Sequence, residues 1–218
     1  VPVWDLSVDM DKDEFFPNRK MRKDGELTNF MVVASSDKNG NPVLNTNYGA
    51  TTLDLYAPGT DIYSSYMGDT YQKGTGEGMA SATVAGVAAL LKSYFPKLTG
   101  SQIRDILLKS VTSRKGVEVE KGIRVNDSPS QDLFLFDDLC ISGGIVNAYQ
   151  AILEAVINII VSVLCIHKFG MAGVLFGTAC SYAYRSVEVM IYNHKKLVKG
   201  SGGKSLARVL RNLVMSIL

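Results

Sequence analysis

Three groups of side chains in this 218-residue sequence are of the types that could do chemistry. Four aspartates lie within the first 13 residues. A segment with glycine, glutamate and serine begins at Gly74 and leads into an apolar run, and the two histidines, His167 and His194, lie late in the chain. Such groups could hold calcium, supply a hydroxyl nucleophile or act as a general base. Two histidines are too few for a site built from several imidazoles.

The aspartates indicate a solvated acidic loop more strongly than a calcium site. They are Asp5, Asp9, Asp11 and Asp13. Their spacing lacks the central glycine and the distal glutamate of an EF-hand loop. The three cysteines contain no CxxC pair that would suggest zinc, and three cannot build a disulfide framework. We therefore expect no metal ion and no cofactor.

The order of apolar segments predicts an α/β fold. Runs at 30–34 and 53–56 are typical of buried strands, and 61–66 is expected to be extended. The small apolar residues 79–95 then favour a helix that is packed on nearly all sides. A second helix is predicted after Thr99, which stands in the N-cap position of a capping box. Short strands followed by packed helices indicate a layered α/β architecture.

The segment Gly74–Leu91, GTGEGMASATVAGVAALL, resembles the region around the nucleophilic serine of the subtilisin-like serine peptidases, the subtilases. That family has Gly-Thr-Ser-Met-Ala followed by a small residue, Pro, any residue and Val-Ala-Gly-Val-Ala-Ala-Leu. The residues that match in register are Gly76, Met79, Ala80 and Val84–Leu90. Upstream, Asn47–Gly49 and Leu53–Gly59 resemble further segments of the family. The resemblance covers residues 1–153 and implies the C-terminal half of a parallel-sheet subtilase domain. Because such a half lacks the layers that normally cover both faces of the sheet, apolar surface on 30–34 and on the 79–95 helix is expected to stay partly exposed.

The sequence departs from the family pattern at the nucleophile. Gly78 stands in the position of the serine, Glu77 in that of the threonine and Ala82 in that of the proline. Glycine has no side chain that could attack a carbonyl. Ser81 lies nearly one turn later and is expected to pack within the helix, with a displaced nucleophile as the remote alternative. Glu77 is expected to be an exposed side chain before a helix, and a carboxylate base is the weaker interpretation.

The family resemblance implies a serine endopeptidase fold and does not imply activity. The family's Asp and His motifs and its oxyanion Asn precede the serine in chain order, and no segment here resembles them. In that mechanism a histidine takes the serine proton, and backbone N–H groups stabilise the oxyanion. What remains is the amide of Gly78 at a helix start, which could hold an anion or a peptide carbonyl weakly. The partner implied is a peptide or protein substrate, with no nucleic acid.

Charge and hydropathy divide the chain near residue 153. Residues 151–218 carry eight basic and two acidic side chains, whereas residues 1–150 carry 15 basic and 19 acidic ones. Such a difference predicts two unlike modules, 1–153 and 154–218. Uncharged apolar residues in the second module predict a pair of transmembrane helices that contact lipid through 152–192. The basic loop then places both termini in the cytoplasm, and a soluble helical hairpin is the alternative.

The second module resembles the polysaccharide flippases of the MATE-like superfamily. The likeness rests on an Asn-containing apolar helix, a Phe-Gly turn at Phe169–Gly170, and the small residues Gly173, Gly177 and Ser181 at intervals of four. It covers residues 155–218 and implies a membrane-embedded fragment. The whole chain then looks like a chimera of two partial domains. By its resemblance alone, the first module is expected in a secreted or cell-envelope protein.

Overall fold

A computed structural model of the chain describes residues 7–13, 15, 17, 19, 25–125, 128–169 and 187. The chain divides into two units, Val1–Leu153 and Glu154–Leu218. In the described residues the elements follow one another as β1 Val33–Ser36, β2 Leu55–Pro58, β3 Ile62–Tyr66, β4 Thr70–Gly74, α1 Glu77–Tyr94, α2 Gly100–Lys109, β5 Thr112–Ser113, β6 Glu118–Val125, β7 Ser128–Leu135, β8 Gly144–Ile145 and α3 Ala148–Phe169.

A four-stranded sheet in the order β1-β2-β8-β5 is the frame of the first unit. β1 and β2 are parallel, with Val33 opposite Leu55, and β8 is parallel to β2. β5 pairs antiparallel with β8 at the other edge. The predicted α/β fold with a parallel sheet is confirmed. The first two strands begin slightly later than the apolar runs. Before β2, Leu53 is buried outside the ladder, and its N–H donates to the carbonyl of Gly49.

Two antiparallel hairpins accompany this sheet. β3 and β4 form one, in which the rings of Tyr63 and Tyr71 stack with centroids 5.7 Å apart. β6 and β7 form the other, and Lys121 on β6 lies opposite Asp132 on β7. Side chains of β2 contribute to the hydrophobic core, in which the rings of Tyr56 and Phe136 pack edge to face with their centroids 5.2 Å apart. Burial raises the pKa of the Tyr56 phenol well above its usual value.

A buried carboxylate ties α2 to the sheet. The side chain of Asp54, directly before β2, is fully buried, and its Oδ1 accepts a hydrogen bond from Arg104 Nη2 on α2 at 2.6 Å. The same oxygen lies 3.4 Å from Arg19 Nη2. Its Oδ2 accepts from the N–H of Val32 at 2.8 Å, just before β1. One side chain therefore joins a helix, two strand starts and the segment around Arg19.

The capping box predicted for α2 is confirmed. Thr99 Oγ1 accepts from the N–H of Gln102 at 3.3 Å, and Gln102 Oε1 accepts from the N–H of Thr99 at 2.8 Å. These two bonds satisfy N–H groups that have no partner inside the helix. The helix buries one apolar face, which consists of Ile103, Ile106 and Leu107.

The composition of the first helix suits packing on nearly all sides, but the structure leaves part of it exposed, as expected for half of a domain. α1 buries Ala80, Val84 and Leu91 and contacts β1 and β2. Its other face is exposed, and we call it the open face of α1. The open face consists of Ser81, Ala82, Ala85, Gly86, Ala89 and Leu90. The residue pattern predicted burial on both faces, but in this unit the sheet covers only one of them.

Replacing Gly86 with Ala is expected to raise the free energy of unfolding by about 1 kcal/mol. Glycine is the weakest ordinary helix former, and alanine is the strongest. A Cβ at Gly86 meets no atom within 4 Å, so the gain carries no steric cost. Denaturant unfolding of the two proteins measures the difference.

Gly59→Ala is the matched control for Gly86→Ala. A Cβ at Gly59 would lie 2.7 Å from Ser35 Cβ and 2.8 Å from the carbonyl oxygen of Gly76. We expect that variant to lose about 1–3 kcal/mol through overpacking. A loss of stability in Gly86→Ala would contradict the open face, since it would mean that a neighbour occupies the space beside α1.

Of the second unit, the structure describes part of α3 and the single residue Val187. The helix runs without a break from Ala148 to Phe169 and crosses the boundary at Leu153. Among the helices of the described residues, none combines the length and the apolar character that a bilayer crossing requires. The second predicted transmembrane segment, 171–184, and the basic loop lie outside the described residues. The predicted membrane hairpin therefore has no support from the structure.

Candidate functional site

The start of α1 holds the residues that the sequence singled out. Gly76 is the N-cap, with φ 150° and ψ 170°, and Glu77 and Gly78 form the first helical residues. This φ is one that only glycine adopts readily. The N–H of Gly76 donates to the carbonyl of Gly59 at 2.8 Å, directly after β2. The end of a central strand therefore sets where the helix begins.

Close backbone contact explains the glycine at position 59. A side chain there would collide with Ser35 at the end of β1 and with the carbonyl of Gly76. Thr83 adds a second link, because its Oγ1 donates to the carbonyl of Pro58 at 3.2 Å. Both links fix α1 to the carboxyl ends of β1 and β2. Parallel α/β folds place ligands at this end of their sheets.

Gly78 presents a backbone N–H and open space. The residue is exposed, and a Cβ built on it meets no atom within 4 Å. Within the described part of the chain, the N–H groups of Glu77 and Gly78 have no hydrogen-bond partner. Free N–H groups at a helix start attract anions and carbonyl oxygens, helped by the helix dipole. The backbone could therefore hold an oxygen atom here, and a serine side chain would fit.

The carboxylate of Glu77 is held by the loop at 43–48. Its Oε1 accepts from Thr46 Oγ1 at 2.9 Å and from the N–H of Asn47 at 3.3 Å. The predicted exposure of Glu77 is confirmed, but these contacts were not foreseen. A carboxylate in the first turn of a helix is also favoured by the dipole. Because its oxygen already accepts two hydrogen bonds, Glu77 is a structural anchor more than a free base.

Sequence reasoning missed a buried lysine behind this loop. The side chain of Lys121 on β6 is fully buried, and its Nζ donates to the carbonyls of Val43, at 3.0 Å, and of Thr46. The Nζ also lies 5.9 Å from the centre of the Tyr48 ring. Burial lowers the pKa of Lys121 to about 7, and the charge of Glu77 opposes that shift. The alternation of side chains along β6 could have indicated this burial, because Lys121 lies two residues after the buried Val119 and on the same strand face.

The other candidate nucleophile and bases lie elsewhere. Ser81 is exposed on the open face of α1, so the prediction that it packs within the helix is wrong. Among the described residues, no basic side chain is hydrogen-bonded to the Ser81 hydroxyl, so nothing there would activate it as a nucleophile. His167 falls in α3 of the second unit, and His194 lies outside the described residues. The first unit itself contains no histidine, so none of its described residues supplies an imidazole at the start of α1.

The acidic loop is more ordered than predicted. Asp11 accepts hydrogen bonds from the N–H and hydroxyl of Thr51 and from the hydroxyl of Thr52. Burial works against ionisation of Asp11, but these bonds outweigh it and lower its pKa. Asp9 pairs with Lys12 at 2.9 Å. Asp5 lies outside the described residues, and the part of the chain that is described contains no cluster of three or more metal-binding side chains.

The chain is similar to proteases over its first module. The model of the Subtilase family matches residues 17–125, half of the chain. Subtilisin BL of Lederbergia lenta is 42% identical over 85 residues, which are 39% of this chain and 31% of that protein. The M-protease of Shouchella clausii (strain KSM-K16) is 43% identical over 84 residues, 38% of this chain and 22% of that protein. The chain thus spans less than a third of the length of these relatives.

Similarity to solved structures covers a comparable region. A protease of Pseudoalteromonas arctica is 28% identical, with a TM-score of 0.44, and the match covers 58% of this chain and 36% of that one. The family match lies wholly within the first module. It gives no support to the resemblance of residues 155–218 to flippases, which stays a prediction.

Proposed function

The chain belongs to the subtilase family of serine peptidases, and from this premise we propose that it binds peptides at the start of α1 without cleaving them. Gly78 occupies the position of the nucleophile and supplies only a backbone N–H. The observation that carries the proposal is this exposed glycine, whose N–H has no partner among the described residues. We also propose that the first module belongs to a secreted or cell-envelope protein.

The chemistry of acyl transfer explains why hydrolysis is not proposed. Attack on a peptide carbonyl needs a nucleophile and a base that takes its proton. Gly78 has no hydroxyl, and Glu77 beside it is held by Thr46 and Asn47. The N–H groups of the first turn could still donate to a carbonyl or carboxylate oxygen of a bound peptide. Such contacts bind weakly, on the order of millimolar, when few other groups take part.

The first test concerns hydrolysis and covalent labelling. We expect no cleavage of peptide substrates and no labelling by a fluorophosphonate probe, which reacts with activated serines. We also expect no turnover from Gly78→Ser, because a hydroxyl alone lacks the base and its orienting acid. Because a Cβ at Gly78 meets no atom within 4 Å, the serine side chain can be added without a steric clash.

Two results would contradict the proposal of an inactive site. A probe adduct mapped to Ser81 would show that a displaced serine is activated. Measurable turnover by Gly78→Ser would reveal a base that the described residues do not present. Ser81→Ala is the matched control, because it removes the neighbouring hydroxyl and leaves every backbone N–H in place.

The second test concerns binding itself. Titration with a short peptide that carries a free carboxylate is expected to shift the ¹⁵N–¹H signals of Glu77 and Gly78. Gly78→Pro removes the N–H at a position in the first turn, where proline is tolerated, whereas Gly78→Ala keeps it. The proline variant has no amide signal at position 78, so the Glu77 signal is compared: its shift should persist in the alanine variant and vanish in the proline variant. Equal shifts in both variants would place the peptide elsewhere.

A further inference from the structure

A polar chain of contacts runs from the inside of the first unit to the start of α1. Lys121 Nζ donates to the carbonyls of Val43 and Thr46, and Thr46 Oγ1 donates to Glu77. Thr46 is buried, and its hydroxyl also accepts from the N–H of Ser35 on β1 at 3.2 Å. The loop at 43–48 is therefore fixed on one side by a buried amine and on the other by a helix-start carboxylate.

We propose that Lys121 is a positioning residue for the start of α1, holding the 43–48 loop so that the loop in turn holds Glu77 beside Gly78. The inference goes beyond peptide binding, because it concerns how the site is held and needs no ligand. It also makes the arrangement dependent on the charge of one buried amine.

The geometry gives the direction of that dependence. A charged amine donates up to three hydrogen bonds and is attracted to Glu77, so it pulls the loop and the carboxylate together. A neutral amine keeps two N–H groups, enough for both carbonyls, but its bonds are weaker and it loses the attraction to Glu77. Since the pKa of Lys121 is about 7, lowered by burial, the loop and the carboxylate should be held together more firmly below neutral pH than above it.

The groups around Lys121 come from each element that packs against it. Glu77 faces it from α1, and Tyr48 faces it from the 43–48 loop. Asp132 lies opposite in the β6–β7 ladder with its side chain exposed. Asp9 follows Ser7, whose N–H donates to the carbonyl of Gly122 directly after Lys121, and its charge acts on Tyr48. Burial, followed by the charge of Asp9, raises the pKa of Tyr48, so this phenol stays neutral near pH 7.

The test follows ¹⁵N–¹H signals between pH 5.5 and 9 in the whole chain. We expect the signals of Asn47, Glu77 and Gly78 to shift with a common midpoint near pH 7. Lys121→Met should abolish that midpoint. Lys121→Arg should hold the three signals at their low-pH positions throughout, because arginine keeps its charge over this range. Signals from α2, such as Ile106, report whether each variant is folded.

A second variant keeps the inference testable if Lys121→Met does not fold. The charge of Glu77 raises the pKa of Lys121, so Glu77→Gln should lower the midpoint. The ¹³Cε chemical shift of Lys121 in lysine-labelled protein measures this midpoint directly. A midpoint that persists in Lys121→Met, or that is unchanged in Glu77→Gln, would overturn the proposal. So would wild-type signals at Asn47 and Gly78 that do not change near pH 7.

Discussion

Replacing Asp54 with Ala is expected to lower the free energy of unfolding by about 3–5 kcal/mol. The carboxylate is fully buried and lies 2.6 Å from Arg104 and 3.4 Å from Arg19, whose side chains are themselves largely buried. Removing it leaves two guanidinium groups without their counter-charge and the N–H of Val32 without its acceptor. Equilibrium denaturation at neutral pH measures the loss.

Two further variants separate charge from packing at Asp54. Asp54→Asn keeps an oxygen for Val32 but removes the charge, so its loss should be smaller than that of the alanine variant. Asp105→Ala, on the exposed side of α2, is the matched control and should change stability by no more than about 0.5 kcal/mol. If Asp54→Ala lost less than about 1 kcal/mol, the buried ion pair would not be present in solution.

Replacing Lys121 with Met is expected to remove a pH dependence of stability worth up to about 1.4 kcal/mol per pH unit. The native pKa is about 7, because burial lowers it from the ordinary value of 10.5. Between these two values the unfolded chain binds one more proton than the native chain. The wild-type free energy of unfolding should therefore rise with pH above 7 relative to the variant, and the difference should be flat below 7.

The measurement is the wild-type free energy of unfolding minus that of the variant, at several pH values from 5.5 to 8.5. Burial also raises the pKa of Cys140, which lowers stability as pH rises, but both proteins contain that thiol and the difference cancels it. Lys97→Met changes an exposed lysine and should leave the pH profile as it is in the wild type. Parallel profiles for wild type and Lys121→Met would show that Lys121 titrates at its ordinary pKa.

The residues that define the family and the helix start could be predicted from the sequence. The capping box of α2 depends on residues three apart, and the positive φ of Gly76 at the start of α1 is a local backbone requirement. The strand and helix order likewise follows from short apolar runs. The proposal that Gly78 stands in the nucleophile position also comes from the sequence, because it depends only on which residue occupies the motif.

Only the tertiary structure shows what surrounds that position. Lys121 and Thr46 are 75 residues apart, and Arg104 and Asp54 are 50 apart. No local pattern marks such pairs, because the two partners meet only in the fold, where their hydrogen bonds and attraction offset the cost of burying a charge. Which side of α1 stays open is decided in the same way. Small apolar residues favour burial, but whether a neighbouring layer covers them is decided by the rest of the fold.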